Sequence, residues 1–536
     1  MPAPFPLVLK RQAETALTDS RFDFIAKYHA VADLRQLARK HTQLLDGQTL
    51  SALADLLESK EFHHVRQSYF LFREAAAVMT DLATAPQGNG LGVEALACLH
   101  RLLRTTGKNA HRGVAEALGS LPVDIPSPRV ACRQTGGHPA VTWNRLLQSK
   151  DLEPIDALRY IGRSLVAQTA TDGFLLVVKL AKSGDTAAGL ANEVRWMERL
   201  RKPNHPYGCR FQVPAPLRID GQPVFRLERL PLRPPVNLTR HRDRLAIAYL
   251  AHRDYFVYPN DQEVDGRTAT EVLGRNAFLL GHLAGGGIVH NAPIPLFHNR
   301  TQRLRRDDQG RYQWFRAGRL DQWLDSCAFP NFGLSGLRDF EHLEPFSGDS
   351  RGLYRHIGSH FFGLLLVAGS WFRRRDGAKK GLDENGKPVD ARHLFDRQLL
   401  AAMIREVFQN YYSGFTGQAP AAPLPLDADR LIERMIAEMG VDRHMTELLR
   451  RADQKALTDD QFFEFLAEKG YRPEHLEAVV RGEKDILIVS GPHLGDFNRQ
   501  ISLPELIEGV AAMAAVCMAG RYQRRNSPGA HPASSI

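Results

Sequence analysis

A lysine in an apolar segment and a glutamate fourteen residues later have the spacing that most strongly indicates chemistry. Lys179 lies near the end of the run FLLVVKL, where a buried ammonium group is costly unless an anion contacts it. Glu193 lies in the next segment, EVRWMERL, whose Met197 and Leu200 set the face that meets the sheet. The pattern predicts a buried ion pair that aims the lysine at phosphate groups. A lysine in solvent beside an ordinary amphipathic helix is the alternative.

A second pair of candidate residues begins and ends a predicted hairpin. In the segment NFGLSGLRDFEHLE, which starts at Asn331, Phe332–Leu334 and Leu337–Phe340 are predicted to pair across a Ser-Gly turn. Asn331 and Asp339 then lie at the two ends, as the asparagine and aspartate do that hold Mg²⁺ ions on nucleotide phosphates in protein kinases. An asparagine that caps a turn and an aspartate paired with an arginine are the alternative.

The catalytic base of a protein kinase is missing from both loops where it would be expected. In kinases an aspartate five residues before the metal-binding asparagine accepts the substrate proton. Ser326 stands there, and Asp325 is displaced by one position. Upstream, His290 resembles the histidine that begins such a loop, but Ala292 occupies the aspartate position. Ordinary phosphoryl transfer with Asp325 as the base is one interpretation that stays open.

A single catalytic loop split by an insertion explains both partial patterns. The loop would open at His290 and close at Asn331, with an insertion over residues 291–330. Seven arginines and two aspartates lie in the stretch 299–319. Arginine side chains match phosphate oxygens, so the stretch predicts a second anion or nucleotide pocket. The candidate ligands there are Arg303, Arg305 and Arg306. A solvated basic loop is the alternative.

The order of these residues, the missing base and the histidine-led insertion resemble the SidJ-related pseudokinases. The resemblance covers roughly residues 157–347. It implies ATP- and Mg²⁺-dependent protein glutamylation, in which AMP is placed on a target glutamate and then displaced by free glutamate. It also implies a role for each candidate: Lys179 holds phosphates, Glu193 orients the lysine, Asn331 and Asp339 bind metal, and His290 lines a nucleotide pocket in the insertion.

One departure limits this resemblance. Gln500-Ile501 lacks the spacing of a calmodulin-binding IQ motif, so calmodulin is not a predicted partner. The missing base is compatible with a carboxylate acceptor, which is already ionised at pH 7. The alternative function is a catalytically inactive pseudokinase scaffold that binds nucleotide and a protein partner. The protein substrate itself stays unknown.

The elements that position these residues follow from periodicity and turn signals. The class expected is α+β, a protein-kinase-like bilobal fold between helical regions. Leucines recurring 46 positions apart predict a HEAT-like or bundle domain. The strand-rich part predicts strands at Leu165–Gln168 and Phe174–Leu180, a helix at Thr186–Leu200, and a hairpin of Val213–Arg218 with Val224–Leu230 around Asp220-Gly221. After Arg240 the chain is expected to be mainly helical.

The predicted boundaries are a helical domain 1–121, a linker 122–140, an N-lobe 141–238, a C-lobe 239–440, a helical C-terminal region 441–520 and a disordered tail 521–536.

Composition sets the outer bounds. The chain has 536 residues, 43% of them hydrophobic and 24% charged, which excludes collagen-like and wholly disordered classes and favours several domains. The net charge of +10 fits phosphorylated ligands, while zinc-finger spacing and RNA-binding aromatic patterns are absent, so nucleic acid is not an expected partner. The sequence shows no secretory signal, no apolar run long enough for a membrane and five scattered cysteines. The expectation is a soluble cytoplasmic protein.

Overall fold

The computed structural model shows a mixed α/β protein in which a helical N-terminal region precedes a mixed sheet and further long helices. The structure describes residues 5–62, 65, 67–85, 91–106, 108–121, 125, 137–148, 158–161, 163–168, 173–181, 186–201, 212–229, 245–293, 304–306, 312–314, 330–373, 396–420, 423–424, 428–429, 431–432, 510 and 513–521.

Six helices come before the first strand, and helices and strands are interspersed after it. The helices are α1 (Phe5–Thr18), α2 (Phe24–Lys40), α3 (Gly47–Glu58), α4 (Ser68–Ala83), α5 (Leu91–Thr105), α6 (Lys108–Ser120), α7 (Trp143–Gln148), α8 (Ala187–Leu200), α9 (Gly266–Gly285), α10 (Ser350–Arg373) and α11 (Arg397–Thr416). The strands are β1 (Ala140–Val141), β2 (Leu158–Ile161), β3 (Ser164–Gln168), β4 (Phe174–Leu180), β5 (Ala215–Leu217), β6 (Phe225–Leu227), β7 (Leu245–His252), β8 (Ile288–His290), β9 (Leu304–Arg306), β10 (Tyr312–Trp314), β11 (Phe332–Gly333), β12 (Gly336–Leu337) and β13 (Leu343–Pro345).

The predicted helical N-terminal region is confirmed as α1–α6. Carboxylates satisfy the free N–H groups at two helix starts: Asp23 accepts from Ala26 at 2.9 Å, and Asp46 accepts from Gln48 at 3.0 Å. The leucines of the 46-residue recurrence lie in α3 and α5. The buried ones are Leu53, Leu56, Leu57, Leu99 and Leu102. The recurrence therefore marks the buried faces of two helices.

The main sheet places Lys179 on an interior strand. Its strand order is β1-β6-β7-β4-β3-β2, and β5 also pairs with β7. The predicted strands β3 and β4 are confirmed, and they pair antiparallel across a short connection. On its other side β4 pairs antiparallel with β7, so Lys179 lies between Ser164 and Ile247. Both edges of β4 are therefore hydrogen-bonded, which holds the backbone at Lys179 rigidly.

One predicted hairpin is wrong in its pairing. Val213–Arg218 and Val224–Leu230 contain the short strands β5 and β6, and both pair antiparallel with β7. Asp220 and Gly221 do form the expected tight turn, with φ of 48° and 76°. The eight-residue strand β7 offers the two short strands a longer ladder of backbone hydrogen bonds than they could offer each other.

The strand β7 lies in a stretch where the sequence predicts mainly helix, after Arg240. Five of its eight residues, LAIAYLAH, are buried and the other three are partly buried, with hydrophobic side chains on both faces. A strand buried on both faces loses the alternating pattern that identifies strands, so periodicity cannot distinguish it from a buried helix. The sheet therefore extends beyond residue 238, the predicted end of the N-lobe.

The helices α9 and α11 approach each other backbone to backbone. A Cβ atom on Gly414 would overlap the carbonyl oxygen of Phe278, and one on Gly281 would overlap that of Tyr411. Glycine at these helix positions costs conformational entropy, which the close approach of the two helices offsets. The long helix α10 packs against both of them and also against the strand β8, which follows α9.

Gly414→Ala is expected to lower the free energy of unfolding by about 1–3 kcal/mol, because the added methyl group forces two helix backbones apart. Urea denaturation of the full chain measures the change. Gly47→Ala is the matched control, since a Cβ there meets no atom within 4 Å. Equal stability of the Gly414 and Gly47 variants would show that α9 and α11 do not pack this closely.

The helical N-terminal region contacts the start of α10. The Ser350 hydroxyl donates a hydrogen bond to the carbonyl oxygen of Leu118 in α6. The buried His100 ring of α5 stacks on Tyr354, with ring centroids 3.3 Å apart and planes 5° apart. These contacts join the N-terminal helices to the part of the chain that follows the β13 strand.

Several predicted regions lie wholly or mostly outside the described residues. These are most of the linker 122–140, most of the insertion 291–330, most of the C-terminal region 441–520 and the tail after residue 521. Residues 513–521 are helical, so the described helix includes the first residue of the predicted tail. Among the described helices, none combines the length and the apolar composition needed to cross a bilayer.

Candidate functional site

The ion pair predicted between β4 and the following helix is present. Lys179 Nζ lies 2.8 Å from Glu193 Oε1, and both side chains are almost completely inaccessible, at 2% and 0% exposure. Thr186 caps α8 by accepting from Gly189, and the buried Leu190 and Met197 lie one turn before and after Glu193. The hydrophobic face of α8 therefore carries the carboxylate into the protein, directly under the sheet.

Lys179 contacts two further carboxylates, which lie in the loop that follows strand β12. Its Nζ atom lies 2.9 Å from Asp339 Oδ1 and 3.6 Å from Glu341 Oε1. The guanidinium of Arg163, in the turn between β2 and β3, donates to Glu341. Two cations and three carboxylates therefore converge at this point, with Glu193 innermost and Asp339 the most exposed, at 31%.

Asp339 has the left-handed backbone conformation, with φ 48° and ψ 58°. A non-glycine residue in this region is uncommon, and such residues cluster at functional sites. It follows the hairpin β11-β12 and precedes a 3₁₀ turn over Phe340–His342. The hairpin is confirmed, although Phe332 pairs with Leu337, so the turn is centred one residue earlier than predicted.

The residue before Asp339 is fixed by aromatic rings. The Arg338 guanidinium lies 5.0 Å from the ring of Tyr255, 4.6 Å from that of Phe256 and 4.9 Å from that of Tyr258. It also donates to the Tyr258 hydroxyl. Cation–π contacts of this kind stabilise a desolvated guanidinium. They anchor the loop to the turn that follows β7.

The positive charges keep the two loop carboxylates ionised. Burial alone would raise the pKa of Asp339, but Lys179 and Arg338 lower it well below its usual range. Burial also opposes ionisation of Glu341, and here Lys179 and Arg163 lower the pKa. Both groups are therefore anions at neutral pH, suited to bind a cation and unsuited to act as bases.

Glu193 is the carboxylate whose burial is least compensated. Burial raises the pKa of Glu193 to about 7. Lys179 opposes this rise, but the negative charges of Glu341 and Asp339, which contact the same ammonium group, add to it. Burial would lower the pKa of Lys179, but the charges of Asp339 and Glu193 raise it above its usual value. The lysine is therefore a permanent cation in this site.

Three side chains in this loop have the spacing of metal ligands. Asp339, Glu341 and His342 each offer one ligand atom, and these atoms lie within 4.8 Å of one another. Glu341 and His342 were not among the residues predicted from the sequence. A carboxylate and an imidazole two and three positions after Asp339 were the available signal.

The two ends of the predicted insertion meet in space. The Asn331 amide nitrogen donates to the carbonyl oxygen of Ala292 at 2.7 Å, and its backbone N–H donates to that of Pro293 at 2.9 Å. Asn331 and Ala292 are 39 positions apart. The backbone N–H of Arg338 donates to the Asn331 carbonyl oxygen at 2.7 Å. Asn331 thus links the loop after His290 to the Asp339 loop.

His290 has a positioning role in the structure. Its Nε2–H donates to the carbonyl oxygen of Arg338 and its Nδ1 accepts from the backbone N–H of Ala292, each at 3.2 Å. Burial, with a further contribution from the charge of His342, lowers the pKa of His290 to about 3, so the ring is neutral. Both ring nitrogens are hydrogen-bonded to the backbone. That His290 lines a nucleotide pocket stays a prediction.

A buried chain of hydrogen bonds continues behind His290. The His360 Nε2–H donates to the carbonyl oxygen of His290 at 2.9 Å, so its Nδ1 must accept from the Tyr411 hydroxyl, at 2.8 Å. Burial lowers the pKa of His360 to about 3 and so keeps it neutral. The helices α10 and α11 therefore hold the strand β8, and through it the backbone next to Asp339.

The arginines predicted for the insertion are described only in part. Arg305 and Arg306 lie in β9, which pairs antiparallel with β10. Their side chains lie outside the described set, as do Arg303 and Asp325 entirely. The structure therefore places Lys179, Glu193, Asp339, Asn331 and His290 in one centre, and the arginine pocket stays a prediction.

No protein-family model matches this chain, and no curated protein matches its sequence.

Proposed function

We propose that the chain is a kinase-like bilobal protein that binds ATP with a divalent cation and uses it to modify a protein carboxylate, by adenylylation followed by ligation of free glutamate. The observation that carries the proposal is the position of Lys179, with Nζ 2.8 Å from Glu193 and 2.9 Å from Asp339. A lysine held by a helix carboxylate, beside a metal-binding aspartate, is how kinase-like sites bind nucleotide phosphates.

The other residues of the centre have roles consistent with this proposal. Lys179, oriented by Glu193, would donate hydrogen bonds to phosphate oxygens. Asp339 would hold the cation together with the Oδ1 atom of Asn331, whose amide nitrogen is fixed by donating to Ala292. When bound, the cation would neutralise charge on the phosphate oxygens. His290 would keep the Arg338 carbonyl oxygen, and so the backbone at Asp339, in place.

A carboxylate acceptor is favoured because the usual base position is occupied by Ala292, next to Asn331. A carboxylate is ionised at pH 7, so it attacks the α-phosphorus without first losing a proton. The bond between the α- and β-phosphates breaks and pyrophosphate leaves. The amine of free glutamate would then attack the acyl carbon, form an amide, lose its proton to solvent and release AMP.

Intact-mass measurement of the full chain tests the reaction type. The chain is incubated with ATP, free glutamate and either Mg²⁺ or Mn²⁺, alone and with candidate substrate proteins. We expect additions of AMP or glutamate, which differ in mass from a phosphate addition. Incubation with ADP in place of ATP is the control. Transfer of phosphate without AMP or glutamate would contradict the proposed reaction and favour ordinary phosphoryl transfer.

The alternative, an inactive scaffold, is favoured by one observation: the described site has no carboxylate at the base position, where Ala292 lies. A thermal-shift measurement with ATP and cation separates nucleotide binding from chemistry. Ligand at about 100 times its Kd stabilises a protein by about 2.7 kcal/mol, a shift of several degrees. Stabilisation without any mass change would support the scaffold, and no stabilisation would contradict nucleotide binding altogether.

A further inference from the structure

We infer that Asp339, Glu341 and His342 form a mixed carboxylate–imidazole cation site, and that His342 makes it prefer a first-row transition cation of the Mn²⁺ type over Mg²⁺. The inference rests on the proposed function, because the cation would be the one that accompanies the nucleotide. It adds two ligands and a cation class to that proposal.

The geometry brings three ligand atoms to one point. Asp339 precedes a 3₁₀ turn that contains Glu341 and His342, and the tight turn points their ligand atoms to within 4.8 Å of one another. All three side chains are partly accessible, with exposures of 31%, 21% and 25%. A cation there could reach three protein ligands and still accept oxygens from phosphate or water.

A second, independent feature points to a cation at this centre. Glu193 Oε2 is fully buried and has no hydrogen-bond partner among the described residues, although its carboxylate faces the same Lys179 ammonium as Asp339 and Glu341. A buried carboxylate oxygen without a donor is costly. A divalent cation bound to Asp339 and Glu341 would stabilise this nearby negative charge.

The ligand types determine the cation class. Mg²⁺ strongly prefers oxygen ligands in octahedral geometry, whereas imidazole suits first-row transition cations. Among the first-row transition cations, Mn²⁺ also shares with Mg²⁺ an affinity for carboxylate and other oxygen ligands, which Asp339 and Glu341 supply. His342 Nε2 lies 3.5 Å from Glu341 Oε1, close enough for both atoms to bind one cation. The site therefore favours Mn²⁺ over Mg²⁺.

Electron paramagnetic resonance of Mn²⁺ bound to the full chain tests the inference. In the presence of a non-hydrolysable ATP analogue, we expect electron spin echo modulation from a directly coordinated imidazole ¹⁴N in the wild-type protein. His342→Gln should abolish this modulation and weaken Mn²⁺ binding by about tenfold or more. Mg²⁺ binding, measured by competition, should change much less, so the ratio of the two affinities should fall.

His111→Gln is the matched control, since His111 is exposed on α6, in the N-terminal helices. It should leave the ¹⁴N signal and the affinity ratio unchanged. Wild-type protein that binds Mn²⁺ without ¹⁴N modulation would overturn the inference, even if the His342 variant does not fold. An unchanged signal in His342→Gln would overturn it too. Nucleotide binding with Mg²⁺ in these same samples would leave the proposed function standing, whereas its absence with either cation would contradict that function instead.

Discussion

Lys179→Met is expected to lower the free energy of unfolding by about 3–5 kcal/mol, the usual cost of removing one partner of a buried ion pair. The change leaves Glu193, at 0% exposure, without the ammonium group 2.8 Å from its Oε1 atom. It also removes the ammonium from Asp339 and Glu341, which keep Arg338 and Arg163 nearby. Urea denaturation of the full chain measures the loss.

Two further variants test whether the loss of stability comes from the buried charge. Adding Glu193→Gln to the Lys179 variant should recover part of the loss, because no ionised group is then left buried under the sheet. Lys27→Met is the matched control: Lys27 is also buried and paired, but its partner Glu61 is 36% exposed and can be hydrated. A loss as large for Lys27 as for Lys179 would contradict this explanation.

The loss in Lys179→Met should also depend on pH in a stated direction. Burial already raises the pKa of Glu193 to about 7 beside Lys179, and removing the ammonium raises it further. A carboxyl group whose pKa is higher in the folded than in the unfolded state stabilises the fold at low pH and loses that contribution as pH rises through the folded pKa. The variant should therefore be closer to wild-type stability at pH 5 than at pH 8. A deficit independent of pH would place the cause elsewhere.

Asp339→Asn is expected to weaken the binding of nucleotide with its cation by about 100-fold, because the carboxylate ligand is lost. Isothermal titration calorimetry with a non-hydrolysable ATP analogue and either cation measures the change. Turnover of nucleotide that depends on the cation should be lost with it. Asparagine tolerates the left-handed conformation, so the backbone at residue 339 should be kept.

The chain supplies a closely matched control for this substitution. Asp220 has the same left-handed φ of 48°, and its side chain is 61% exposed in a turn of the sheet. Asp220→Asn makes the same chemical change in the same backbone conformation and should leave binding unchanged. Equal binding by the Asp339 and Asp220 variants would remove Asp339 from the cation site.

Sequence reasoning predicted the local parts of the site. Lys179 and Glu193 belong to one strand–helix unit, and Asn331 and Asp339 belong to one hairpin, so spacing and periodicity along a short segment were sufficient. Lys179 also contacts Asp339, which lies 160 positions later. The order of the residues along the chain suggested this contact, but the pattern of a short segment cannot predict it. It depends on the packing of the loop on α8 and on the aromatic turn that follows β7.

The parts that escaped prediction depend on long-range pairing or on contact chemistry. The strand β7 has no alternation because both of its faces are buried, and the short strands β5 and β6 take their partner from it. Glu341 matches no motif, and only its contacts with Lys179 and Arg163 identify it as part of the site. His360 carries no motif at all, and only the fold brings it to the carbonyl oxygen of His290.

The position of β7 has a consequence for the chain during synthesis. Until residue 252 has left the ribosome, β4 has a partner on one side only, and its run FLLVVKL presents an unpaired apolar edge. Edges of this kind pair with other chains and lead to aggregation. Truncated proteins that end before Leu245 should therefore accumulate in inclusion bodies, and a slow ribosome between residues 181 and 245 would expose the nascent chain to the same hazard.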